Sequence, residues 1–145
     1  MKSKDILNDI ITRNVEDLIV RSELEKKLKG RSKLRIKLGI DPTGSRIHIG
    51  RAVTLWKLRQ LQDLGHTITL IVGSFTAQIG DTSDKDSERP MLSSKQVEEN
   101  LKTYFDQMGK ILDLSKCEKH HNSKWLGQLT YREICEQAEI GRAHV

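Results

Sequence analysis

The sequence predicts an α/β fold, a doubly wound parallel sheet preceded by N-terminal helices. Three observations carry that prediction. A short β-branched, apolar run at residues 34–38 is followed by a glycine-punctuated turn and then by Val53, Leu55, Trp56, Leu58, Leu61 and Leu64 at helical spacing, up to Gly65. A second run, Thr67-Ile-Thr-Leu-Ile-Val72, ends at Gly73 and reads as the next strand. The segment between the two strands is long enough for the crossover that a parallel pair requires. Finally, polar loops fall after both strands, where ligands sit in sheets of this class.

Taken in order, residues 4–11 place Ile6, Leu7, Ile10 and Ile11 on one helical face. A second helix is expected at 22–29, with Ser22 and Glu25 as a capping box and Lys26, Lys27, Lys29 and Gly30 as its stop. After the two strands, the segment 80–91 is polar and follows neither period, which predicts a mobile loop over the site. Residues 94–112 carry Val97, Leu101, Tyr104, Phe105, Met108 and Ile111 in a 3,4 pattern, under a Ser93 N-cap with Gln96 three positions on. That stripe is core. Residues 117–121 suit a third parallel strand, and a further helix begins at 129–135.

Composition sets bounds rather than an answer. A chain of 145 residues suffices for one core and buries roughly 70% of its unfolded surface. Hydrophobic residues are 36% and charged residues 31%, with a net charge of +5 and a pI near 9.3. Because the 20 acidic residues are interspersed with the basic ones, this balance fits a solvated surface as well as an RNA footprint. Cys117 and Cys135 lack CxxC spacing, so unpaired thiols in a cytoplasmic protein are expected. No apolar run approaches the ~18 residues of a membrane span, and no signal-peptide core is present.

The most informative stretch is Gly39-Ile-Asp-Pro-Thr-Gly-Ser-Arg-Ile-His-Ile-Gly-Arg51. It puts His48, Ile49 and Gly50 at a helix N-terminus, where unpaired N–H groups and the positive end of the dipole favour a phosphate. Gly50 lets a base or ribose approach the backbone, and His48 can donate to a phosphate oxygen as charge develops on it.

Asp41-Pro-Thr43 followed by His48-Ile-Gly-Arg51 resembles the first signature of class I aminoacyl-tRNA synthetases in the form carried by tyrosyl-tRNA synthetases. A second block, Phe75-Thr-Ala-Gln-Ile-Gly-Asp-Thr-Ser-Asp-Lys-Asp-Ser-Glu-Arg-Pro90, resembles the same family at the expected distance, and Asn122-Ser-Lys-Trp-Leu126 looks like its turn after the third strand. The likeness covers residues 3–139. It implies a Rossmann-like catalytic domain over residues 34–139, packed against a helical segment at 1–33.

By the same resemblance, tyrosine is activated with ATP to an adenylate and then transferred to tRNA(Tyr), with Mg2+ accompanying the ATP and no protein-bound metal. His48, Thr43, Lys85 and Arg89 are implied to stabilise the phosphates and the departing pyrophosphate. Asp41, Pro42, Thr43, His48, Ile49, Gly50 and Arg51 are implied for ATP; Lys37, Gly39, Asp41, Thr76 and Asp81 are implied for tyrosine. Two positions depart from the family's pattern. Arg51 stands where a histidine or asparagine is usual, and either reaches a phosphate or ribose or is an exposed first-turn arginine. Lys37 stands where a phenol-binding tyrosine is common, so the phenol contact is expected from elsewhere.

A homodimer is expected of the full-length form, with no membrane association. Residues 140–145, Ile-Gly-Arg-Ala-His-Val, match one-frame translation of a sequencing adapter. They are expected to be non-native, and the chain an inactive N-terminal fragment without the second class I signature loop and the anticodon-binding domain. Alternatives are a tryptophanyl-tRNA synthetase, a small nucleotidyltransferase, and a non-catalytic RNA-binding paralogue.

Overall fold

A computed structural model describes residues 3–79 and 91–142, except for the side chains of residues 3–5 and 139–142. In chain order the elements are α1 (Ser3–Thr12), α2 (Arg21–Lys29), β1 (Arg35–Ile40), α3 (Ile49–Asp63), β2 (Thr67–Val72), α4 (Ser94–Met108), β3 (Cys117–His121), α5 (Ser123–Leu126) and α6 (Tyr131–Arg142). The three strands form one parallel sheet in the order β1-β2-β3. Its register sets Ile36, Leu38 and Ile40 beside Ile68, Leu70 and Val72. Alternation then puts these six apolar side chains on one face.

That face is the core. Leu55 and Leu58 from α3 and Tyr104 and Met108 from α4 pack with Ile40, Ile68, Leu70 and Leu112. A neighbouring cluster joins Val72, Ala77, Val97 and Leu101. Ile68, Leu70 and Val72 are fully buried, as befits a central parallel strand. The other face is polar: Arg35 Nε lies 3.1 Å from both Glu118 carboxylate oxygens, and the Thr69 hydroxyl donates to Glu118 Oε2 at 3.0 Å. One charged group thus ties all three strands together.

The N-terminal helices make a satellite core of Ile10, Ile11 and Leu28 against Leu34 and Leu61. Lys57 of α3 fastens it by donating from Nζ to the carbonyls of Ile10 at 3.0 Å and Arg13 at 2.8 Å, groups that the end of α1 leaves unsatisfied. Burial pushes the Lys57 ammonium below its ordinary pKa.

Several expected boundaries shift. The first strand runs to Ile40 rather than Leu38, because β2 supplies partners as far as Val72. The capping box expected at Ser22 does not form. The helix starts at Arg21 behind Val20, whose φ is 56°, and Glu25 pairs with Arg21 and Lys29 instead. The box at Ser93 and Gln96 is present. α4 ends at Met108; Leu112 then bonds back to the Met108 carbonyl and enters the core, while Ile111 packs against it from beyond the helix. On α3, Val53 and Trp56 face solvent, and the third buried position is Gln62.

Candidate active site

Where β1 ends, the backbone turns through Asp41, Pro42 and Thr43, with the Thr43 N–H donating to the Asp41 carbonyl at 2.9 Å. His48 is the N-cap of α3: its Nδ1 accepts the Gly50 N–H at 3.0 Å. In a neutral imidazole used as an acceptor at Nδ1, the proton resides on Nε2. The cap therefore leaves His48 with one exposed N–H donor.

The turn is gripped from the side by α4. Asn100 donates to the Pro42 carbonyl at 2.9 Å, Thr103 to the Ser45 carbonyl at 2.7 Å, and Gln107 to the same carbonyl at 2.9 Å while accepting the Ile47 N–H at 2.9 Å. Spacings of three and four place these residues on one helical face.

Beside the turn is a cavity of about 480 Å3, lined among others by Gly39, Asp41, Arg51, Gly73, Thr76 and Asn122. It lies at the carboxyl ends of the strands. The Thr76 hydroxyl donates to Asp41 Oδ1 at 2.7 Å and accepts from Asn122 Nδ2 at 2.9 Å, and Asn122 Oδ1 takes the Phe75 N–H at 2.8 Å. This chain of bonds aligns a carboxylate whose second oxygen, Oδ2, takes no hydrogen bond among the described residues. An acceptor so placed suits an ammonium. Arg51 Nη1 donates to the Asp41 carbonyl and to the Tyr104 hydroxyl, each at 3.1 Å.

Of the expected site residues, Gly39, Asp41, Arg51 and Thr76 line the cavity together. Pro42, Thr43, His48, Ile49 and Gly50 form the adjoining turn and the start of α3. Arg51 is neither wholly exposed nor idle, since it is partly buried and twice bonded. Lys37 does not line the cavity; it is exposed on the polar sheet face, opposite Thr69. Asp81, Lys85, Arg89 and the loop expected at 80–91 fall, apart from Met91, outside the described residues. Sequence reasoning overlooked Gly73, Asn122 and Tyr104 as site residues. For the first two a signal existed, because each directly follows an expected parallel strand.

A parallel α/β sheet with a helix-capping His-Ile-Gly turn and a carboxylate-bearing cavity at its strand ends is the architecture of a class I synthetase catalytic domain. The sequence matches the family described as tRNA synthetases class I (W and Y) over residues 28–142, and the chain belongs to that family. It is 50% identical over 125 residues to a tyrosine–tRNA ligase of Thermotoga maritima, covering 86% of this chain and 31% of that protein. It is 46% identical over 142 residues to tyrosine–tRNA ligase 2 of Clostridium acetobutylicum, covering 95% and 36% respectively. The chain therefore spans about a third of the length of these relatives. In fold it is similar to the tyrosyl-tRNA synthetase of Archaeoglobus fulgidus solved with L-tyrosine, at a TM-score of 0.69 and 22% identity, over 100% of this chain and 42% of that one.

Proposed function

We propose that this chain is the front part of the catalytic domain of a tyrosine–tRNA ligase, which activates tyrosine with ATP and charges tRNA(Tyr). The observation that carries the reading is the Asp41 carboxylate, held by Thr76 in a cavity beside the capped N-terminus of α3. In this reading the tyrosine ammonium sits on Asp41, with Thr76 and Asp81 completing the acceptor set. Its carboxylate attacks the α-phosphate of ATP, and pyrophosphate leaves. No protein nucleophile takes part, so catalysis is positioning and charge stabilisation.

His48 donates from Nε2 to the phosphate oxygens as charge grows on them. Thr43 assists in the phosphate region, and Lys85 and Arg89 take the leaving pyrophosphate. Pro42, Ile49 and Gly50 shape the turn against which the nucleotide lies. Mg2+ enters with the ATP, as charge on its phosphates. Gly39 borders the side-chain end of the amino acid, and Lys37, two residues back on the strand and outside the cavity, is assigned no contact with it. Tyrosine is favoured over tryptophan by the names of the relatives at 46–50% identity.

The proposal extends to a homodimeric, cytoplasmic full-length enzyme, with residues 34–139 as the start of its catalytic unit, 1–33 as a helical annex, and 140–145 as non-native. Among the described residues no helix is long and apolar enough to cross a membrane. The test is tyrosine-dependent exchange of pyrophosphate into ATP by the full-length protein, with tryptophan in parallel. Exchange with tryptophan alone, or with neither amino acid, overturns the reading.

A further inference from the structure

Four polar residues of α4, Asn100, Thr103, Tyr104 and Gln107, all bind the segment between Asp41 and Arg51, and three of them do so through its backbone. Tyr104 alone reaches a side chain. Its ring is 2% exposed in the central core, and its hydroxyl accepts from Arg51 Nη1. The same Nη1 donates to the Asp41 carbonyl, so the guanidinium bridges α4 to the carboxylate-bearing turn.

Arginine is an unfavourable choice in the first turn of a helix, since the dipole there repels a cation. A guanidinium carries five N–H donors in a rigid fork. Both hydrogen bonds that the described residues supply use Nη1. That leaves the donors on Nε and Nη2 for a ligand in the cavity that Arg51 lines.

We propose that Tyr104 is a positioning residue for the nucleotide: its buried hydroxyl fixes the Arg51 guanidinium, whose remaining N–H donors bind a phosphate or ribose oxygen of ATP. The inference rests on the synthetase reading and adds to it a residue that lies outside the sequence signatures and away from the ligand. A charge-assisted hydrogen bond to a buried acceptor orients a long side chain that would otherwise sample several rotamers. Removing the hydroxyl leaves the cation in place but held at one point only.

The experiment is a double-mutant cycle of Tyr104→Phe and Arg51→Lys in the full-length protein, read by pyrophosphate exchange and thermal unfolding. Tyr104→Phe keeps the ring in the core. It is expected to raise KM for ATP about tenfold, with KM for tyrosine and kcat within about twofold. In the Arg51→Lys background the same change is expected to add almost nothing, since an ammonium has no Nε and Nη2 donors to present to ATP and Tyr104 then has no fork to orient. An unchanged KM for ATP in Tyr104→Phe overturns the proposal. So does an equal rise in both KM values with a lowered Tm, or an effect that persists undiminished beside Arg51→Lys. Absence of exchange activity in the unsubstituted protein strikes the synthetase reading instead, and the two failures are distinguishable.

Discussion

A Cβ built on Gly73 would lie 1.6 Å from Asp41 Oδ1 and 2.4 Å from Thr76 Oγ1. The site's carboxylate and its hydroxyl partner thus occupy space that only glycine leaves open at the end of β2. Gly73 is also pinned from both sides, donating to the Ile40 carbonyl at 2.9 Å and accepting from the Ala77 N–H at 3.0 Å. The backbone cannot easily retreat from an added methyl group. Gly73→Ala is therefore expected to cost about 1–3 kcal/mol in stability through overpacking and to separate Asp41 from Thr76. Urea unfolding and pyrophosphate exchange measured on the same preparation check this. Wild-type stability with full exchange would mean that the carboxylate has another resting place.

His48 combines two jobs that substitution can separate. As the N-cap it satisfies the Gly50 N–H, and as a neutral imidazole it keeps a donor on Nε2. Replacement by Ala is expected to cost about 1 kcal/mol of stability and roughly 10²-fold or more in exchange rate. Serine caps a helix well but has no donor at the distance of Nε2. His48→Ser is thus expected to recover the unfolding midpoint and not the rate. Recovery of both would assign His48 to capping alone.

The strands and the core helices are legible because burial on one sheet face puts apolar residues at alternate positions of β1 and β2, with Ile71 an added apolar residue on the other face, and sets a 3,4 stripe in α4. Legibility fails where a tertiary partner overrides a local signal. Ser22 and Glu25 have capping-box spacing, but Arg21 and Lys29 claim the Glu25 carboxylate. Gln62 interrupts the apolar stripe of α3 and is buried all the same, because its amide takes the Asp113 N–H at 2.9 Å and donates to the Asp113 carbonyl at 3.0 Å. In the site, Asp41 and Thr76 belong to sequence blocks with a recognisable spacing. Tyr104 looks like any core aromatic, since only the tertiary fold brings its hydroxyl to Arg51.

Acid should loosen the sheet through Glu118. The Arg35 guanidinium, and next the Thr69 hydroxyl, lower the Glu118 carboxyl from an ordinary 4.5 to about 2. The folded state therefore holds this proton more weakly than the unfolded chain does. The contribution is complete above 4.5 and is lost as the pH falls from there toward about 2. Asp113, lowered from 3.8 to about 2 chiefly by the Ser115 hydroxyl and next by Lys116, acts in the same direction. Glu118→Gln is expected to narrow the difference between urea midpoints at neutral pH and near pH 3. High salt should narrow it too, since Arg35 and Glu118 are solvent-accessible. An unaltered difference in the variant would leave Asp113 and other carboxylates to account for acid sensitivity.

The Thr76 hydroxyl is the hinge of the cavity's hydrogen-bond chain, because it donates to Asp41 and accepts from Asn122 at the same time. Valine at this position keeps the shape and strands two polar partners, Asp41 Oδ1 and Asn122 Nδ2. A hydrogen bond to a charged group contributes about 1.5–3 kcal/mol net. Thr76→Val is accordingly expected to raise KM for tyrosine about tenfold or more, with KM for ATP nearly unchanged, whereas Thr76→Ser retains the hydroxyl and stays close to wild type. Asp81→Ala, which removes the second carboxylate assigned to the ammonium, is expected to move the same parameter in the same direction. Steady-state exchange kinetics with each substrate varied separately decide the matter. If ATP affinity collapses while the tyrosine requirement holds, the Asp41 cavity serves the nucleotide, and the amino acid binds elsewhere.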